Sequence, residues 1–150
     1  MKSRSLGDII GPSGVHHHSY TVARGKLALA QLFFTDQHWS LEEKLTVKAD
    51  WGTAIFIRPP HSQSYIQLTD ANDTPEDDTC TDAYHLCISV QQTTAVNAAV
   101  AMYVWGLQHD LFHGTTIELA NPKQTKLFVY IRGLFRFAIE VTQVKDFRYL

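Results

Sequence analysis

The sequence predicts an α+β fold of two tandem β-α-β-β-β modules, and three observations lead there. The hydrophobic period changes from strand-like to helical and back, in the same order, twice along the chain. A run of acids divides the two passes: residues 70–83, DANDTPEDDTCTDA, hold six acids and no base. Each strand-like stretch also carries one aliphatic side and one mixed polar and aromatic side, as sheets do when helices cover only one face. The expected architecture is a curled, cavity-enclosing mixed sheet with the helices outside. The chain reads as a single domain over residues 1–150, with module 1 at about 14–69, the acidic linker at 70–83 and module 2 at about 84–145.

In the first pass, residues 15–22 alternate as a strand. RGKLALAQLFF, residues 24–34, is rich in helix formers, with Leu27, Ala30, Gln31 and Phe34 at helical spacing. Trp39 to Lys48 reads as one strand, and Asp50-Trp51-Gly52 turns the chain. TAIFIRP is a strand stopped by Pro59 and Pro60, and SYIQLTD is the next. In the second pass YHLCISVQ is a strand. Residues 93–105 form a helix that Thr93 or Thr94 caps, with Val96, Val100, Tyr103 and Val104 on one face and Gly106 at its end. TTIELA stops near Asn121-Pro122, TKLFVYI follows, Arg132-Gly133 turns, and LFRFAIEVTQV is the last strand.

Composition narrows the function classes. The 150 residues are 45% apolar and 19% charged, a globular balance, and the net charge of −2 leaves no basic stripe for nucleic acid. No apolar run reaches the length of a membrane span, and MKSRSLGDII lacks the apolar core of a signal peptide, so the expected location is cytoplasmic. Cys80 and Cys87 are too few for a disulfide framework and are expected as free thiols. The acidic stretch reads as a solvated linker. It lacks the central glycine and closing glutamate of an EF-hand loop.

Strand parity selects the candidate residues. His17 stands five residues before Val22, and His85 stands five before Val90. YIQLT and AIEVT match in the same way and pair Gln67 with Glu140. Ile66 and Leu68, Leu86 and Ile88, and Ile139 and Val141 take the helix-facing side. His17, Gln67, His85 and Glu140 then share the other side, one from each of four strands. Neighbouring histidines on a strand point to opposite faces, so this phase makes His16 and His18 bystanders. Two imidazoles, a carboxylate and a glutamine oxygen are a usual donor set for a divalent metal with open positions. Phe56, Tyr65, Phe128 and Tyr130 share the polar side and can line an apolar pocket. Arg58 and Arg136 can hold an anionic substrate or pair with acids. Glu118 is a rival to Glu140 that falls too early in the second repeat. His61, His109 and His113 read as loop residues.

The arrangement resembles the vicinal oxygen chelate superfamily, the glyoxalase, bleomycin-resistance and extradiol dioxygenase group. HHSYTV and HLCISV resemble its first-strand motif, and YIQLT and AIEVT its fourth-strand motif, over about residues 14–145. Two features depart from the pattern. Ile131-Arg132-Gly133-Leu134 replaces an Asp-Pro-Asp-Gly turn, and the first helix begins Ala23-Arg24-Gly25.

The resemblance implies a divalent metal (Zn, Ni, Mn or Fe) bound by His17, Gln67, His85 and Glu140. Glu140 or Gln67 would serve as the catalytic proton carrier, and the substrate would be a small oxygenated molecule in an isomerase, lyase or dioxygenase reaction. It implies a homodimer, with the site lying within or between subunits. The alternative is a binding protein of the drug-sequestering type that performs no chemistry. A third class is a structural domain acting through an interface.

Overall fold

The computed structural model describes residues 3–111, 113–119 and 126–143. The element order is α1 (Leu6–Ile10), β1 (His17–Thr21), α2 (Leu27–Thr35), β2 (Ser40–Leu41), a 3₁₀ turn (Glu43–Leu45), β3 (Val47–Ala49), β4 (Gly52–Arg58), β5 (Tyr65–Ala71), β6 (Thr81–Val90), α3 (Ala95–Gln108), β7 (Thr115–Leu119), β8 (Lys126–Ile131) and β9 (Phe137–Gln143). The strand stop at Asn121-Pro122 lies outside the described residues.

The two-module α+β architecture is the expected one. One sheet runs β1-β5-β4-β2, with β3 also on β4, and the other runs β6-β9-β8-β7. In each, the first and last strands of the module pair in parallel and the others are antiparallel. Parallel pairing needs a crossover, and α2 and α3 lie on those crossovers. The sheets are open and do not close on themselves. They meet where Arg136 N–H donates to the Thr21 carbonyl (3.2 Å) and Ala23 N–H to the Leu134 carbonyl (2.8 Å).

Parity behaves as the sequence implies. Ile55, Ile57, Ile66, Leu68, Leu86, Ile88, Leu127, Val129, Ile139 and Val141 are all buried in one core with the helices. Phe33, Phe34, Phe135 and Phe137 fill the space between the modules, with Phe33 against both Phe135 (5.2 Å) and Trp105 (5.1 Å). Trp105 Nε1–H donates to Asp36 Oδ2 at 2.9 Å and ties the end of α2 to α3.

Three local expectations are corrected. The stretch expected as one strand from Trp39 to Lys48 is broken into β2 and β3 by the 3₁₀ turn, where Glu42, Glu43 and Lys44 offer no alternation to bury. The buried face of α3 is Ala95, Ala99, Met102 and Gly106, while Val100 and Val104 are exposed. Small residues let the helix lie close to the sheet, and that closeness sets its rotation. Gly106 therefore does not end the helix. A Cβ there would meet Thr115 Oγ1 at 2.6 Å, so the glycine permits contact with β7. Thr94 does cap the helix, its hydroxyl accepting from Asn97 N–H at 3.1 Å.

The acidic linker is exposed as expected, with Asp73, Glu76, Asp77, Asp78 and Asp82 all exposed, and two arginines hold it. Arg24 donates to Glu76 (2.8 Å) and to the carbonyls of Asn72 and Thr74. Arg136 donates to the Asp77 carboxylate (2.9 Å) and to the carbonyls of Asp77 and Pro75. One arginine from each module thus straps the linker down, and Thr74 is buried beneath it.

Candidate functional site

Each module carries the same row of side chains across the sheet face away from its helix. In module 1, Ser19 of β1 is in register with Gln67 of β5, and Gln67 with Phe56 of β4. In module 2, Cys87 of β6 is in register with Glu140 of β9, and Glu140 with Phe128 of β8. His17 and His85 lie two residues earlier on the first strands. Each sets its ring edge-on to the phenylalanine of its own module: His17 to Phe56 at 5.0 Å and 86°, His85 to Phe128 at 5.3 Å and 86°. The alternation of β-strands explains the coincidence, because equal spacing on equally paired strands brings equivalent residues to equivalent places.

The two rows differ in charge. In module 1 the Ser19 hydroxyl donates to Gln67 Oε1 at 2.5 Å, a neutral contact. In module 2 His85 Nε2 lies 3.0 Å from Glu140 Oε2, and Glu140 is mostly buried. His85 Nδ1 lies 3.2 Å from the Asp82 carbonyl oxygen, which can only accept, so Nδ1 carries the proton. Nε2 and Oε2 then present electron pairs to one point unless a proton or a cation lies between them. A carbonyl that fixes the imidazole tautomer in this way is the usual support of a metal-binding histidine.

The surroundings of Glu140 affect its neighbours. Burial first, and then the Glu140 carboxylate, push the Cys87 thiol up to about 11. Tyr130 is buried and its hydroxyl donates to Asp82 Oδ2 at 3.3 Å. Burial first, then the charges of Glu118 and Asp82, push its phenol up to about 12. The Arg132 guanidinium sits 4.9 Å from the centre of the Tyr130 ring.

The structure brings His85, Glu140, Phe128 and Tyr130 onto one face, and His17, Gln67, Phe56 and Tyr65 onto the other module's corresponding face. Among the described residues, no three His, Cys, Asp or Glu side chains lie close enough to hold one metal ion. Within one chain, then, His17 does not join His85 and Glu140. Each module keeps two of the four expected donors on its own sheet, His17 and Gln67 on one and His85 and Glu140 on the other.

Arg58 is exposed at the end of β4 and forms no ion pair among the described residues. Arg136 pairs with Asp77 of the linker, the second of the two roles open to it in the sequence. It borders a cleft of about 420 Å³ at the seam of the modules, with Thr21, Thr74 and Tyr84, away from the His85–Glu140 pair. Glu118, the rival to Glu140, lies on β7 in register with Phe128, on the far side of Phe128 from Glu140.

Sequence reasoning passed over Ser19 and Cys87, although both stand at the selecting parity. It also passed over Asp82, which acts through a backbone carbonyl and left no signal. His16 Nδ1 lies 2.8 Å from His17 Nδ1, so the two rings share one side at the entry of β1. Alternation fails there because His16 precedes the strand.

No family model matches the chain, and no curated protein is similar enough to match. Solved structures do match. Trypanothione-dependent glyoxalase I of Leishmania major is 18% identical with a TM-score of 0.58, covering 90% of this chain and 89% of its own. A glyoxylase/bleomycin resistance protein/dioxygenase domain from Frankia sp. EAN1pec is 16% identical with a TM-score of 0.57, covering 89% of this chain and 98% of its own. The fosfomycin resistance protein FosX from Listeria monocytogenes, solved as a mutant with Mn(II) and a dihydroxypropylphosphonic acid, is 12% identical with a TM-score of 0.54, covering 87% and 92%. With the paired modules and their parallel first and last strands, these likenesses identify the architecture: the chain has the vicinal oxygen chelate fold of the glyoxalase, bleomycin-resistance and dioxygenase proteins.

Proposed function

We propose that the chain is a glyoxalase-like, divalent-metal-dependent enzyme acting on a small oxygenated substrate, and that two copies assemble to complete each site. One observation carries the reading. His85 Nε2 and Glu140 Oε2 face one point at 3.0 Å, with His85 held in the matching tautomer by Asp82. His85 and Glu140 from one copy, with His17 and Gln67 from another, would hold the ion. When bound, the ion would supply Lewis-acid polarisation of substrate oxygens. Glu140, mostly buried beside Phe128, would take and return a substrate proton. Phe56 and Phe128 stand edge-on to His17 and His85.

The test is metal content after purification without chelators, together with thermal shifts on adding Mn(II), Ni(II), Zn(II) or Fe(II). Bound metal that His85→Ala or Glu140→Gln removes supports the reading. So does its recovery when a His17→Ala, Gln67→Ala chain is mixed with a His85→Ala, Glu140→Ala chain. Absence of both bound metal and metal-induced stabilisation would overturn it.

A second reading, metal-free sequestration of an aromatic molecule, is favoured by the aromatic content of both faces. Phe128 lies between the rings of His85 and Tyr130, and Phe56 touches those of His17 and Tyr65. Ligand binding that survives His85→Ala and Glu140→Ala would select it.

A further inference from the structure

We propose that His16 and His17 form a two-nitrogen chelate for a tetragonal divalent ion, of the Cu(II) or Ni(II) class, at the entry of β1. The inference does not depend on the His85–Glu140 pair, though it shares His17 with the reading above.

The geometry comes first. His16 Nδ1 and His17 Nδ1 lie 2.8 Å apart on exposed side chains. Two imidazole nitrogens bound at about 2.0 Å and at right angles to each other are about 2.8 Å apart, whereas a tetrahedral angle separates them by about 3.3 Å. The pair is therefore spaced for a square-planar or octahedral ion rather than a tetrahedral one. Without metal, the same spacing is a hydrogen bond in which one Nδ1–H donates to the other Nδ1. On binding an ion that hydrogen bond would open, each ring turning its lone pair off the line between the two nitrogens. On binding, the donor ring moves its proton from Nδ1 to Nε2, and both rings stay neutral.

The rings are also held in place. Ser64 Oγ–H donates to the Val15 carbonyl at 3.0 Å, and Tyr65 N–H donates to the His16 carbonyl at 3.0 Å. The His16 ring leans on Tyr65 at 5.3 Å, and the His17 ring stands edge-on to Phe56 at 5.0 Å. A freely moving histidine run has no such anchors. His18 is in register with Ile66, on the opposite side of the strand from His17, and takes no part.

Titration calorimetry with Ni(II), and electron paramagnetic resonance with Cu(II), test the chelate on the full chain and its variants. The expected result is a site at which His16→Ala and His17→Ala each weaken Ni(II) by about tenfold or more while His18→Ala stays within about twofold. The Cu(II) spectrum should show two coordinated nitrogens that fall to one in His16→Ala. Equal losses from all three histidine variants would mean an unstructured run and overturn the proposal, as would Ni(II) binding that ignores His16→Ala. Ni(II) binding lost with Glu140→Gln but kept in His16→Ala would overturn the chelate while supporting the metal-dependent reading. Unchanged circular dichroism of the variants, expected because residues 16–18 are exposed, excludes misfolding as the cause.

Discussion

Glu140 holds in module 2 the register position that Gln67 holds in module 1, each lying between a phenylalanine on one neighbouring strand and a small polar residue on the other. The backbone treats them alike, and the chemistry does not. Gln67 is satisfied by the Ser19 hydroxyl, whereas Glu140 brings a charge against a histidine. The modules have kept one geometry and divided the polar work between them.

The first prediction follows from that difference. Glu140→Gln makes the second row resemble the first while preserving shape. It should leave the fold intact and weaken divalent-metal stabilisation by about tenfold or more. Calorimetric metal titration alongside circular dichroism checks both halves of the statement.

Cys87 should report on the same carboxylate. Desolvation first, and then Glu140, push its thiol up to about 11 from an ordinary 9.0, although the residue as a whole is exposed. At pH 8.5 its alkylation by iodoacetamide should be slower than that of free cysteine by on the order of 50-fold. Glu140→Gln should speed it, because the repelling charge is gone. Because the folded value is raised, this thiol's contribution to stability is fully present below about pH 9. It should fade as pH rises toward 11, a loss that Cys87→Ser removes. Chemical denaturation between pH 8 and 11 measures it.

Arg136→Ala should free the linker from module 2. Arg136 loses its bonds to the carbonyls of Pro75 and Asp77, and the expected fall in Tm is about 3–6 °C. Limited proteolysis should then cut near residues 75–79. The Thr79 backbone N–H first, and then Arg136, hold Asp77 below its usual 3.8. The stabilisation Asp77 gives is therefore present above about pH 4 and lost as pH falls further. Arg136→Ala should flatten that acid limb.

Gly106→Ala should cost about 1–3 kcal/mol by forcing α3 off β7. The Cβ would press on Thr115 Oγ1, which donates to the Leu111 carbonyl at 2.8 Å. Gly106→Ala with Thr115→Ala should be less destabilised than the sum of the two single changes. Urea denaturation of all four proteins gives that coupling.

Much of this fold is legible along the chain because strand alternation is a local property. Placing Ile66 and Leu68 inside sets Gln67 outside, and the same step puts Glu140 opposite Ile139 and Val141. Rotation of α3 is not local. Val100 and Val104 look like part of a core stripe by hydrophobicity, yet Ala95, Ala99 and Gly106 face the sheet because only small side chains admit it so closely. The break between β2 and β3 and the strapped linker likewise depend on partners far along the chain, Phe56 for Glu42 and Arg136 for Asp77.

The sequence by itself determined the two-module plan, the face each strand residue takes, and the equivalence of His17 with His85 and of Gln67 with Glu140. Periodicity and repetition suffice for these, since they need only the spacing of residues on a strand. Tertiary structure alone decided how the equivalent rows are grouped. Joining the modules through Thr21, Ala23, Leu134 and Arg136 leaves each row within its own sheet, so His85 finds Glu140 and not His17. It also turned His16 toward His17, because the residue before a strand is positioned by what it packs against, here Tyr65, and not by the strand's alternation.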